Sequence, residues 1–453
     1  MVGANDAGAF LAQFQAACQA YDGEALRRCL DLAPAAHDAL RAAVQRTVGG
    51  CVLTQSLASA LSTWTPLPPS KTHDRRLKAL AEDYLQYVAE HGAGDADAGA
   101  YDAYVKLFSD AAALFALPET VWFVPCLKLL AQRLVTLAIA CDKQSELRTY
   151  TKTIDAAGRL SKSAGLAAND RTALPGGETK RAAVLALANL SFRAYFKLNN
   201  TRLCETVLGS VQNALLMNRR NAADGALDTG EEVYSRAERV TYRYYLGQIR
   251  LIQHRIQAAA QHLDWAFVHC TQRQRHNKRK ILVSLVPVHL ILGRYARRAL
   301  LDEFGLTERY AMLLHYHRLG YGRGVEQELD RHCDWLRTRG LYMVLREKAM
   351  LGAWRNLFRR CLRLLPSAGA SNAPPTLRLG TLVLPARLAW GDEALQVEDM
   401  ECVAADLVEQ VCARAREADA AGTDEGVHPA LERPRCAAEG AAPRLSTARE
   451  CVS

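Results

Sequence analysis

From residue 181 onward the chain is written in pairs of short amphipathic helices, and this pattern constrains its fold more than any other feature. Residues 186–199 place Leu187, Leu190, Tyr195 and Leu198 along one side, at the three- and four-residue spacing of a buried helical face. Asn199-Asn200 ends that run, and residues 201–216 turn back as its partner. Residues 242–253 and 256–270 form a second pair, and 281–293 with 296–303 a third. In the middle pair Ala259, Ala260 and Ala266 keep the second helix slim enough for close packing. One helix pair cannot bury its apolar face alone, so successive pairs must stack, as in a tetratricopeptide-like solenoid. The spacing is irregular, which makes the array a degenerate repeat.

The remainder is helical as well. Residues 4–61 carry apolar side chains at helical spacing, with a break at Gly49-Gly50, and 65–70 (TPLPPS) read as a turn or linker. Residues 75–90 set Leu77, Leu80, Ala81, Tyr84, Leu85 and Val88 on one face. A flexible loop is expected at 91–100, a helix at 121–141 with Pro125 near its start, and an exposed loop at 169–179. Strand signals are scarce before residue 375, which excludes most α/β enzyme folds. Beyond that point 377–384 is apolar and β-tolerant, and 397–411 reads as an amphipathic helix. From residue 413 the chain is Ala, Glu, Asp, Gly and Pro with almost no large apolar residue, so disorder is expected there. The expected organisation is an N-terminal helical region (1–180), helical repeats (181–365), a small subdomain (366–412) and a disordered tail (413–453).

With 49% hydrophobic and 23% charged residues, the 453-residue chain has the composition of a globular protein, not of a wholly disordered one. The longest apolar candidate for a membrane span, 281–293, is too short and contains Pro287 and His289. No basic start followed by an apolar block suggests a secretory signal. The 13 cysteines are scattered with none at C-x-x-C spacing, which fits small buried thiols in a reducing compartment better than disulfides or a zinc module. The expectation is a soluble intracellular protein with no membrane partner, no metal and no cofactor.

Charge is unevenly distributed. Residues 236–363 hold 25 basic and 10 acidic side chains, a net +15, which leaves −6 for the rest of a +9 chain. A basic block sustained over more than a hundred residues is the electrostatic footprint of a polyanionic partner, either nucleic acid or an acidic protein.

Several blocks in this region stand out: YFKLN at 195–199 with LC at 203–204, YYLG at 244–247, AQHLDWAFVHC at 260–270, NKRKILVSLVPVHLILG at 277–293 and RNLFRR at 355–360. Together they resemble the PCI-domain family, in the branch that includes PCI-domain-containing protein 2 and COP-nine signalosome subunit twelve. The resemblance covers roughly residues 180 to 410 and implies an all-α stack of helical repeats capped by a small α/β winged-helix subdomain, used as a non-catalytic scaffold. Relatives work in transcription-coupled mRNA export (TREX-type) complexes at nuclear pores. That implies a nuclear location, a GANP-type large scaffold subunit and a small acidic DSS-type protein as partners, and contact with RNA or DNA. The other implied reading is a structural subunit of a COP-nine signalosome-like complex with no direct nucleic-acid role. Residues 395–408 resemble the family's recognition-helix region, but no basic wing strand follows, so the winged helix is expected to be degenerate or truncated.

The candidate nucleic-acid contacts fall in three clusters. Arg273, Arg275, Lys278, Arg279 and Lys280 lie in a loop and a first helical turn, where their number favours phosphate, although cations there oppose the helix dipole and the three residues 278–280 could instead hold the fold together. Arg294, Arg297 and Arg298 form the second cluster, and Arg355, Arg359 and Arg360 the third, on one helix. Trp265, Phe267, Trp335, Trp354 and Phe358 fall on apolar helical faces and read as core side chains more readily than as base-stacking platforms. No catalytic motif stands. Gly176-Gly177-Glu178-Thr179-Lys180 lacks the frame of a phosphate-binding loop. Gly320-Tyr321-Gly322-Arg323-Gly324 follows no strand and reads as a turn. His315 and His317 diverge by about 200° on a helix, and Val325 and Glu328 stand where a zinc isopeptidase of that kind needs its Ser and Asp.

Overall fold

The computed structural model describes residues 7–48, 64, 66, 70–145, 150–171, 179–221, 230–364 and 378–420. Among the described residues every regular element is helical. The chain divides into two compact units, residues 1–245 and 246–453.

The first unit holds α1 (Ala7–Gln19), α2 (Gly23–Leu30), α3 (Pro34–Val48), α4 (Lys71–Glu90), α5 (Ala98–Ala116), α6 (Val124–Gln144), α7 (Thr151–Ala168), α8 (Val184–Lys197) and α9 (Leu203–Asn221). Helix α10 (Arg236–Ile252) runs across the division. Local chemistry sets the starts. Ser70 Oγ accepts the His73 N–H at the head of α4, and Asp97 accepts the Ala100 N–H at 2.7 Å at the head of α5. The buried Asp142, near the end of α6, caps α7 by accepting from the Thr153 N–H at 2.7 Å and the Thr153 hydroxyl at 2.6 Å. All six apolar residues expected on the face of α4 are buried.

The most apolar long segment is not 281–293 but Val121–Gln144, which by length and composition could cross a membrane. Here it is the central helix of the unit, with 56% of its most apolar window buried against α2, α5, α7 and α8. The turn at residue 180 is fastened on both sides. Buried Lys180 donates through Nζ to the Phe115 and Leu117 carbonyls at 2.6 and 2.5 Å, and Arg181 Nε donates to Asn218 Oδ1 at 2.9 Å.

In the second unit α11 (Ile256–His269) and α13 (Arg298–Glu303) come close to their expected places, whereas α12 (Arg275–Ile291) begins six residues before the expected start at 281. They are followed by α14 (Thr307–Leu319), α15 (Gly322–Arg331), α16 (Cys333–Arg337) and α17 (Tyr342–Leu364). Helix α12 runs straight through Pro287. Proline has no N–H for the carbonyl four residues back, which leaves the Val283 oxygen without its helical donor. The buried Tyr310 hydroxyl of α14 supplies the bond at 2.7 Å. Where α14 ends, Gly320 takes φ +75°, and a Cβ there would stand 2.5 Å from the Leu357 nitrogen of α17.

The C-terminal elements correct two expectations. The β-tolerant stretch 377–384 forms no strand in its described part; Leu379–Leu382 is a 3-10 turn and α18 (Val383–Trp390) follows it directly. Its apolar residues are used in a helix because Leu382, Ala386 and Ala389 bury against Leu357 and Cys361 of α17. Helix α19 (Val397–Ala420) does not stop at the low-complexity boundary but continues through 413–420, a stretch of strong helix formers. Residues 421–453 of the expected disordered tail, 172–178 of the loop expected at 169–179, residues 365–377 and the expected break at Gly49-Gly50 lie outside the described residues.

Candidate nucleic-acid interface

The structure separates the eleven candidate cations by what they touch. In the first cluster Arg273 lies in the 3-10 turn Gln272–Gln274, and the helix begins at Arg275, so residues 275–280 occupy its first two turns. Lys278 is buried, 7% exposed, with Nζ 5.0 Å from the centre of the Phe267 ring. It is withdrawn from any external phosphate, because its ammonium is spent on an aromatic face inside the stack. Arg275 donates to the Glu303 carbonyl and lies over the Phe304 ring, 5.8 Å from its centre. Arg279 donates through Nε to the Phe304 carbonyl at 2.9 Å and through Nη2 to the Gly305 carbonyl at 3.5 Å. Two arginines of α12 therefore hold the open carbonyls at the end of α13, where cations suit the helix dipole. Arg273 and Lys280 remain exposed.

The second and third clusters, separated by about sixty residues in sequence, meet at one place. In the turn after α12 Gly293 takes φ +77°, and a Cβ there would stand 2.3 Å from Arg355 Nη2. The Arg355 guanidinium thus lies directly on the backbone of the turn that carries Arg294 and Tyr295. Tyr295 is fixed from two sides: its hydroxyl accepts from Asn356 Nδ2 at 2.8 Å and donates to His317 Nδ1 at 2.9 Å. The tautomer follows, since His317 Nε2 faces the Ala349 carbonyl at 3.0 Å and must carry the proton. Burial pushes the His317 imidazole down to about 4. Arg318 of α14 lies over the Tyr295 ring, 6.0 Å from its centre, and burial pushes the Tyr295 phenol up against the opposing pull of the Asn356 hydrogen bond and of the nearby arginine charges. Arg294 is half-buried and stands 3.9 Å from Asp264, which also pairs with the buried His289 at 3.0 Å. Arg297 and Arg298, at the head of α13, are exposed, as is Arg360.

Sequence reading passed over Arg318. It belongs to none of the local clusters, and only the packing of α14 beside α17 brings it to Tyr295. It likewise missed Arg309 and Arg339, which lie over Trp335 at 5.7 and 4.2 Å and spend their charge there. The five aromatic residues expected in the core, Trp265, Phe267, Trp335, Trp354 and Phe358, are half-buried and packed against neighbouring side chains. Trp354 stacks on Trp390 of α18 with centroids 3.5 Å apart, Phe358 packs into the same cluster, and Trp265 stacks on His269. His317 is buried while His315 is exposed, so the two do not converge. Among the described residues no group of three or more metal-ligating side chains assembles.

No protein-family model matches the chain. It is 27% identical over 352 residues to a PCI domain-containing protein of Schizosaccharomyces pombe, covering 74% of this chain and 75% of that one. It is 26% identical over 311 residues to the PCI domain-containing protein 2 homolog of Drosophila melanogaster, covering 64% and 71%. The likeness is to PCI-domain proteins. Enhanced ethylene response protein 5 of Arabidopsis thaliana is similar too, 27% identical over 292 residues covering 64% and 65%. The all-α stack of helix pairs agrees with the PCI type of fold, and the described part of the expected winged helix is reduced to α18 and α19 closed over α17.

Proposed function

We propose that the chain is a non-catalytic PCI scaffold subunit of a transcription-coupled mRNA export complex of the TREX type, contributing to RNA or DNA binding through a basic face. In that role it works in the nucleus beside a GANP-type large scaffold subunit and a small acidic DSS-type protein. The observation that carries the reading is the placement of charge. The PCI-like region holds the +15 block, and after several cations are spent on carbonyls and aromatic rings Arg273, Lys280, Arg297, Arg298, Arg318 and Arg360 remain exposed.

The test is affinity purification of the tagged full chain from its native cells, with and without nuclease, followed by mass spectrometry. Recovery of a GANP-type scaffold and an acidic DSS-type protein, with RNA retained before nuclease, is the expected result. Recovery of signalosome subunits with no export scaffold and no nucleic acid would replace this reading by a purely structural one.

A further inference from the structure

Helices α4 and α5 meet across two crossed ion pairs. Lys106 Nζ of α5 stands 2.8 Å from Asp83 Oδ1 of α4, and Arg76 Nη1 of α4 stands 3.2 Å from Asp110 Oδ1 of α5. Lys106 and Asp110 are about one helical turn apart, so the two pairs bring Asp110 alongside Asp83. Only Asp83 is sunk in the interface: its side chain is 8% exposed, against 64% for Lys106. Its Oδ2 is buried and receives no donor, and the group within hydrogen-bonding reach of this carboxyl besides Lys106 is the Asp110 carboxyl. Two ionised carboxylates only accept and repel one another, whereas one proton between them turns one into a donor. Cations on the neighbouring helices are engaged elsewhere. Arg41 of α3 donates to the Ala89 and Glu90 carbonyls, Arg133 of α6 pairs with Asp31, and Arg159 of α7 with Asp155 and the Ser109 hydroxyl. Glu82 of α4 adds negative charge near Lys106.

We propose that Asp83 and Asp110 form a proton-operated latch between α4 and α5: one shared proton joins the two carboxyls and tightens the helix pair, and its loss loosens it. The latch lies in the first unit and is independent of any nucleic-acid contact. Burial pushes the Asp83 carboxyl up to about 6, Asp110 adds to the rise, and Lys106 opposes it. An Asp in an unfolded chain titrates near about 3.9. Because the folded value lies above the unfolded one, the stabilisation is whole below about 4 and is lost as pH rises through about 6. The buried imidazoles of His37 and His317 act in the opposite sense, since burial lowers their values. Helix α5 also packs on the central helix α6, so mild acidification firms a contact at the heart of the unit.

The test follows hydrogen exchange of the full chain, parent against Asp83→Asn, at about pH 5 and about pH 8, with intrinsic rates divided out. The amide of Asn stands in for the protonated carboxyl, and taking the ratio of variant to parent cancels the histidine contributions. In α4 and α5 that ratio should rise by about tenfold between the two pH values, while in α14–α17 it stays constant. Asp110→Asn keeps the Asp83–Lys106 pair and offers Asp83 an amide donor, so its ratio should rise in the same direction. A flat ratio, with both variants losing protection equally at the two pH values, would mean that Asp83 serves only as the partner of Lys106, and the latch falls. Where a variant does not fold, carbon-13 NMR of the Asp carboxyls in the parent decides. One carboxyl should titrate with a midpoint near about 6, and the latch is overturned when no Asp carboxyl titrates above about 4.5. In folded Asp83→Asn the raised resonance should vanish; its persistence assigns it to another residue and overturns the latch as well.

Discussion

Two buried polar contacts show how single residues decide this fold. Tyr310 exists where it does because Pro287 leaves a carbonyl open one turn away, and its hydroxyl closes that gap. Tyr310→Phe keeps the ring and strands the Val283 oxygen, which should cost about 1–3 kcal/mol, read as a lower melting temperature or denaturation midpoint. An unchanged midpoint would mean that another donor reaches Val283. His317 makes the second case. Burial holds its pKa at about 4 in the fold, against an ordinary value of about 6.5 when unfolded. The unfolded chain takes up the proton first as pH falls, so the stability tied to neutral His317 is whole above about 6.5 and is lost down to about 4, on the order of 3 kcal/mol. His317→Gln should flatten that part of the stability-versus-pH curve, and a slope equal to the parent's would show that the imidazole titrates freely.

At the scale of helices the sequence was a good guide where side chains repeat and a poor one where tertiary contacts choose. The apolar face of α4 and the buried alanines of α11 could be read from their spacing, because burial is what that spacing encodes, whereas on α8 Leu187 and Tyr195 are buried but Leu190 is only half-buried. Asn199 marks a true stop, with φ +53° just past α8. The stretch 377–384 carried no such signal: a short apolar run suits a strand or a helix, and the packing of Leu382 and Ala386 against α17 decides it. The Tyr295 cluster was half visible, as two runs of arginine whose meeting depends on Gly293, and Arg318 had no local mark at all. The same α17 surface carries the last two helices. Trp390→Ala would remove the ring that stacks on Trp354 and lies over Gly322. It should cost about 3–5 kcal/mol in that cluster. Hydrogen exchange should then rise in α18 and α19 while α4–α6 keep their protection; uniform loss would mean that the cluster is not a separable layer.

Across the whole chain the described cysteines carry no disulfide. Cys126 and Cys204 are buried, and burial drives both thiols up, Cys204 to about 12. Cys402 is exposed on α19. Brief alkylation of the native protein followed by peptide mapping should therefore label Cys402 well ahead of Cys126 and Cys204, with the difference vanishing in denaturant. Early labelling of Cys204 would show that α9 opens readily. Charge has a parallel consequence for how the molecule is made. Arg275 and Arg279 reach the carbonyls of α13 only after the chain has folded; before that they are free guanidiniums on a strongly basic segment. An unfolded chain thus offers two more free guanidiniums to a polyanion in this segment than the folded protein does, and a polyanion that holds them pulls against folding. Refolding from denaturant should slow as RNA is added, and a chaperone or an acidic partner that shields residues 273–280 early would restore the rate.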